Sequence, residues 1–142
     1  MRRRLGLTTW AAICASVALA GCSAGVEAGD ADHARSAVDT LLPLCAEGRG
    51  VAALELLAAP AQQAFLEGED ARAGCERVIG LVPGDDAGVA LATVFEQARV
   101  TGVRVEGGIA EVSVAGPRGR RSTLEAEDVG DEWVVTNARL PA

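Results

Sequence analysis

The chain has 142 residues, with 13 basic residues, all arginine, against 20 acidic ones, for a net charge of −7. That length suits one domain with a modest core. The acidic balance repels phosphate backbones and anionic headgroups, which sets nucleic-acid binding aside.

The N-terminus reads Met1-Arg2-Arg3-Arg4, then an apolar run from Leu5 to Ala20, then Gly21-Cys22. A basic start, a short apolar segment and small residues before a cleavage point make a secretory signal peptide. Leu19-Ala20-Gly21-Cys22 resembles the bacterial lipoprotein signal, in which that cysteine receives a diacylglyceryl group before cleavage. A retained spanning helix needs about 20 predominantly apolar residues. The run here includes Gly6, Thr8, Thr9 and Ser16, and no basic cluster follows it. The resemblance therefore implies loss of residues 1–21 and a lipid on Cys22. Two acyl chains suffice for stable anchoring, where one binds only marginally. The expected location is the outer face of the cell membrane. Removal of the leader leaves ten basic against 20 acidic residues, a charge of −10 over 121 residues.

With Cys14 in the leader and Cys22 acylated, Cys45 and Cys75 remain, and an oxidising compartment favours one disulfide between them. Closing a loop of that length stabilises by about 3.5 kcal/mol in the chain-entropy picture. No C-x-x-C occurs, and a single histidine offers little for a metal site.

Ser23 to Asp30 is small and polar without periodicity, and 22–31 reads as a flexible tether. Asp30 or Asp32 can cap a first helix. Ala34, Ala37, Val38, Leu41, Leu42 and Cys45 then form one apolar stripe. Pro43 should kink that helix near its end, and Gly48 should stop it. A second helix is predicted from Val51 to Ala59, ended by Pro60, with another turn or two from Ala61 to Leu66. Asp70 caps a third to about Ile79, bounded by Gly80 and Pro83. Gly84-Asp85-Asp86 is turn-like, and Val89 to Phe95 is either a short helix or the start of a strand. After Glu96 the period falls to two. Arg99–Val105, Ile109–Ala115, Arg121–Val129 and Trp133–Leu140 read as strands separated by glycine-bearing turns. Trp133 and Val135 should share the inward face, with Glu132 and Thr136 on the other. Helices followed by an antiparallel meander predict a single α+β domain over 32–142.

This order of elements, with the cysteine placement and the closing Gly130-Asp131-Glu132-Trp133, resembles small secreted lipoproteins of high-GC Gram-positive bacteria. Their domain is similar to the nuclear-transport-factor-2-like, ketosteroid-isomerase-like cone, in which a curved sheet wraps a kinked helix around a pocket. The resemblance covers about Asp32 to Leu140 and implies a cone-like fold. It does not choose an activity, because one fold carries many.

An isomerase of this kind needs a carboxylate base in an apolar pocket facing acid donors. Asp39, Glu96 and Glu125 are the available carboxylates, but the chain has no tyrosine to donate. The single histidine, His33, reads as a solvated residue beside the tether. Glu67, Glu69 and Asp70, like Asp85-Asp86, lack the ligand spacing of a calcium loop and read as solvated charge. Arg118, Arg120 and Arg121 form a basic hairpin tip that could touch headgroups or an anionic wall polymer, though a merely soluble tip is the simpler reading. Trp133 reads as core.

The expectation is a lipid-anchored extracytoplasmic binding or interaction module without catalysis, cofactor or metal. Its partner would be a small apolar ligand or a cell-envelope protein. The alternatives are an isomerase- or hydrolase-type enzyme and a purely structural surface lipoprotein. An apolar pocket with converging polar groups would favour the ligand, a buried carboxylate the enzyme, and a filled interior the purely structural surface lipoprotein.

Overall fold

The computed structural model describes residues 15–81 and 90–139. The basic N-terminal residues read as the start of a leader and the Gly84-Asp85-Asp86 stretch read as a turn lie outside them. The architecture is α+β: helices α1 (Ala15–Glu47), α2 (Gly50–Leu54), α3 (Ala59–Leu66), α4 (Ala71–Ile79) and α5 (Leu91–Gln97) precede the strands. Strands β1 (Arg99–Glu106), β2 (Ile109–Ala115), β3 (Arg121–Val129) and β4 (Glu132–Arg139) form an antiparallel sheet in the order β1-β2-β3-β4. Among the described residues no helix is long and apolar enough to cross a membrane.

The stripe from Ala34 to Cys45 is buried at every position, from 0 % exposed at Ala34 to 9 % at Ala37. It packs on Val112, Val114, Leu124 and Val135 of the sheet's inner face and on Phe95 of α5. The helix departs from expectation at its start. Residues 22–31, read as a tether capped at Asp30 or Asp32, are helical. The segment is alanine-rich and free of proline, and a helix nucleated by its buried stripe extends at one hydrogen bond per residue. Gly21, Gly25 and Gly29 cost about 1 kcal/mol each without stopping it. At the other end Gly48 takes φ +72°, and the Arg72 guanidinium donates to the Ala46 carbonyl at 3.1 and 3.3 Å, satisfying an orphan acceptor. Cys45 and Cys75 are bonded, with Cα atoms 5.8 Å apart, joining α1 to α4.

The second helix is also corrected. Pro60 opens α3 rather than closing α2, as its missing N–H allows in a first turn. Helix α2 stops at Leu54 because the next segment has another partner. Ala58 N–H donates to the Val135 carbonyl at 2.8 Å, and Val135 N–H donates to the Leu56 carbonyl at 2.9 Å. Residues 56–58 thereby cover the outer edge of β4, an edge that would otherwise present unpaired backbone groups. Helix α4 follows its sequence signals: the Asp70 carboxylate accepts from Ala73 N–H at 2.8 Å, and Gly80 ends it in the left-handed region. The stretch from Val89 to Phe95 resolves toward helix, as α5.

Strand bounds match the alternation to within a residue wherever they are described. Gly107 and Gly108 both take positive φ, the requirement of a tight two-residue hairpin. Trp133 and Val135 point inward, 8 % and 0 % exposed, while Glu132 is exposed. Thr136 differs from the expectation of a plain outward position. Glu125 pairs with Asn137 and Ala126 with Val135, so Thr136 is the extra residue of a β-bulge, and its hydroxyl donates to the Glu125 carbonyl at 3.1 Å.

Three stability measurements check this packing. Reduction of Cys45–Cys75 should lower the thermal midpoint by several degrees, since about 3 kcal/mol is a large share of a small domain's stability. An unchanged midpoint would mean that the bond does not hold the helices. Gly74→Ala, ordinarily favourable in a helix, should destabilise by about 1–3 kcal/mol, because its Cβ would lie 2.6 Å from the Phe65 carbonyl oxygen. Trp133→Ala should cost about 3–5 kcal/mol and Thr136→Ala about 1 kcal/mol in denaturant titrations. Equal costs would contradict the strand register.

Candidate functional site

The space between helices and sheet is filled. Phe95, Leu41, Ile79, Leu81 and Leu124 are each under 2 % exposed and occupy the volume where a ligand pocket was expected. Among the described residues Ser122 is the one buried polar residue, and its hydroxyl donates to the Ile79 carbonyl. Among the described residues no carboxylate is buried. The binding geometry therefore lies on the surface.

One candidate is a groove of about 450 Å³ between α1, the end of α2 and the start of β4. Helix α1 supplies His33, Ser36, Ala37 and Thr40, one row beside its buried stripe. Glu55 and Leu56 come from the segment after α2, held in place because Leu56 and Ala58 are hydrogen-bonded to Val135. Asp131, Glu132, Trp133 and Val134 come from the β3–β4 turn and the strand that follows. Ala37 and Trp133 make a buried floor, while His33, Glu55, Asp131 and Glu132 stand exposed around it. The Thr40 hydroxyl is turned back on its own helix, donating to the Ser36 carbonyl at 2.8 Å.

A second groove, about 350 Å³, lies on the outer sheet face and is lined by Arg104, Glu106, Ile109, Glu111 and Glu125. Arg104, Glu111 and Glu125 are consecutive cross-strand partners on β1, β2 and β3, so cation and carboxylates stand in one row. Its charges are thus partly matched within the fold.

The three carboxylates weighed as a catalytic base do not converge. Asp39 is exposed and pairs with Arg35 at 3.7 Å; Glu96 is exposed on α5; Glu125 is on the far face of the sheet. Asp39 and Glu96 share a surface groove with Arg99, but neither is desolvated. In the acidic cluster, Glu67 pairs with Arg77 at 3.1 Å and Asp70 caps α4. No three His, Cys, Asp or Glu side chains among the described residues converge to hold a metal ion. Arg118, Arg120 and Arg121 sit at the β2–β3 connection, at the end of the sheet opposite the β3–β4 turn. His33 is solvated as expected, yet it stands within a continuous helix, not at a tether's edge. Cys45 and Cys75 come together as read; the lipid attachment at Cys22 concerns a side chain outside those described.

Sequence reasoning missed the groove. Its α1 row is visible in the 33, 36, 37, 40 spacing, but Glu55 and Asp131 belong to segments whose neighbours only the folded chain defines. Comparison of the chain with family models, with curated proteins and with solved structures gives no match in any of the three.

Proposed function

We propose that this protein is a lipid-anchored extracytoplasmic interaction module that works through its surface and catalyses nothing. The observation that carries the reading is the pair of surface grooves, one beside Trp133 and one on the outer sheet face, which favours interaction over a purely structural role, while the packed core between sheet and helices turns the reading away from a small apolar ligand there. The exposed positions of Asp39 and Glu96, and the separation of Glu125 from both on the outer sheet face, support the non-catalytic part, since a carboxylate base needs desolvation to reach a working pKa. The lipobox ending in Cys22 supports the anchor. Cys22 precedes Ala34, the first residue of the buried stripe, by 12 positions of α1, about 18 Å of helix. A stalk of that length presents the domain clear of the headgroups. The resemblance to small secreted lipoproteins with a cone-like domain agrees with this placement.

The test has two arms in the intact protein in its own membrane. Cys22→Ala should abolish palmitate labelling and release the protein or leave an uncleaved precursor; a variant that still labels overturns the anchor. Photo-crosslinking residues at Glu55 and at Ile109 should give a discrete adduct from at least one of the two surfaces. Absence of adducts at both overturns the interaction reading.

A further inference from the structure

The two edges of the sheet are not equally closed. Residues 56–58 cover β4, whereas β1 is covered only at its start, where Arg35 donates to the Val100 carbonyl and the strand bulges at Thr101. The hydrogen-bond phase fixes what remains. The Gly108 carbonyl accepts from Asp128 N–H at 3.0 Å, so Ala110, Val112 and Val114 bond across to β3. Ile109, Glu111 and Ser113 then bond to Glu106, Arg104 and Gly102 of β1. Val103 and Val105 therefore point their N–H and C=O groups away from the sheet, and among the described residues neither meets a backbone partner there. Their side chains lie half-buried on the inner face, while Arg104 and Glu106 stand exposed on the outer one. Past them the turn is open, with nothing within 4 Å of where a Cβ on Gly107 would lie.

We infer that β1 pairs antiparallel with β1 of a second copy of this chain about a two-fold axis through Val105, joining the two sheets into one. An open strip of this kind is a template for another strand. Three registers bring the outward groups of Val103 and Val105 together with inner face continuing inner face, and charge chooses among them. An axis at Val103 sets Val105 against the bulge at Thr101. An axis at Arg104 sets the two Arg104 side chains against each other. An axis at Val105 sets Arg104 opposite the partner's Glu106 and Glu106 opposite the partner's Arg104. In that register each Val105 N–H donates to the partner's Val105 carbonyl, and Val103 lies across from the partner's Gly107, which has no side chain to obstruct it. A foreign strand would use the backbone groups alone; the doubly matched charges are what a second copy supplies. The dimer goes beyond the surface-interaction reading and does not rest on it.

The experiment is sedimentation of the full chain over a concentration series, in detergent with micelles in excess of chain. The expected result is a monomer–dimer equilibrium. Arg104→Glu and Glu106→Arg, each alone, turn two opposite-charge contacts into two like-charge ones and should weaken the dimer about tenfold. An equimolar mixture of the two variants should form a mixed dimer with the parent's affinity, since each supplies the charge that the other lacks. Val105→Pro removes an N–H that serves no bond of the fold and should abolish the dimer, with circular dichroism checking that the chain still folds. Glu127→Arg, on β3, should leave the equilibrium unchanged. A chain that stays monomeric throughout overturns the inference. So does a mixture of the two variants that associates no more tightly than either alone, or an Arg104→Glu chain that prefers the parent to the Glu106→Arg chain. Envelope adducts at Glu55 or Ile109 from a monomeric chain would reject the dimer and leave the surface reading standing, and a dimer without such adducts would do the reverse.

Discussion

Burial of one stripe of α1 is the constraint on which the other elements depend. Ala34, Ala37, Val38, Leu41, Leu42 and Cys45 face the inner side of the sheet, and each fully buried leucine or valine contributes about 1.5–3 kcal/mol. Two of the first three positions are alanine, and the helix packs on both β1 and β4. Larger side chains fill the space near α5 and α4. This helix packs on the inner face of the sheet, and among the described residues the side chains between them are buried against one another.

The two edges of the sheet are handled differently, and the difference shapes the surface. On β4 the main chain of residues 56–58 supplies a short parallel bridge through Val135. On β1 the Arg35 guanidinium donates to the Val100 carbonyl at 3.1 Å, and the strand bulges at Thr101. Both devices blunt edge-to-edge pairing. The first also carries Glu55 and Leu56 to the side of Trp133. A covering segment that protects backbone groups thus builds one wall of the acidic groove.

Charge is distributed along the sheet axis. The arginines at the β2–β3 connection lie at one end, and Asp131 and Glu132, with His33 of α1 beside them, at the other.

Much of this was legible in the residues themselves. The apolar stripe of α1, the Asp70 cap, the glycine stops at Gly48 and Gly80, and the period-two strands all follow from interactions local in sequence, because helix and strand periodicity repeat within a few residues. The pairing of Cys45 with Cys75 followed from counting. The end of α2, the opening of α3 at Pro60 and the bulge at Thr136 did not follow. Each depends on a backbone hydrogen bond to a strand remote in sequence, and Val135 lies more than 70 residues from the segment it pairs with. The candidate site has the same origin. Sequence alone determined the amphipathic elements and the residue types along them; the tertiary structure decided that the interior is full and that His33, Glu55 and Trp133 share a groove. Local propensity cannot encode either outcome, since both arise from how separated surfaces exclude water against one another.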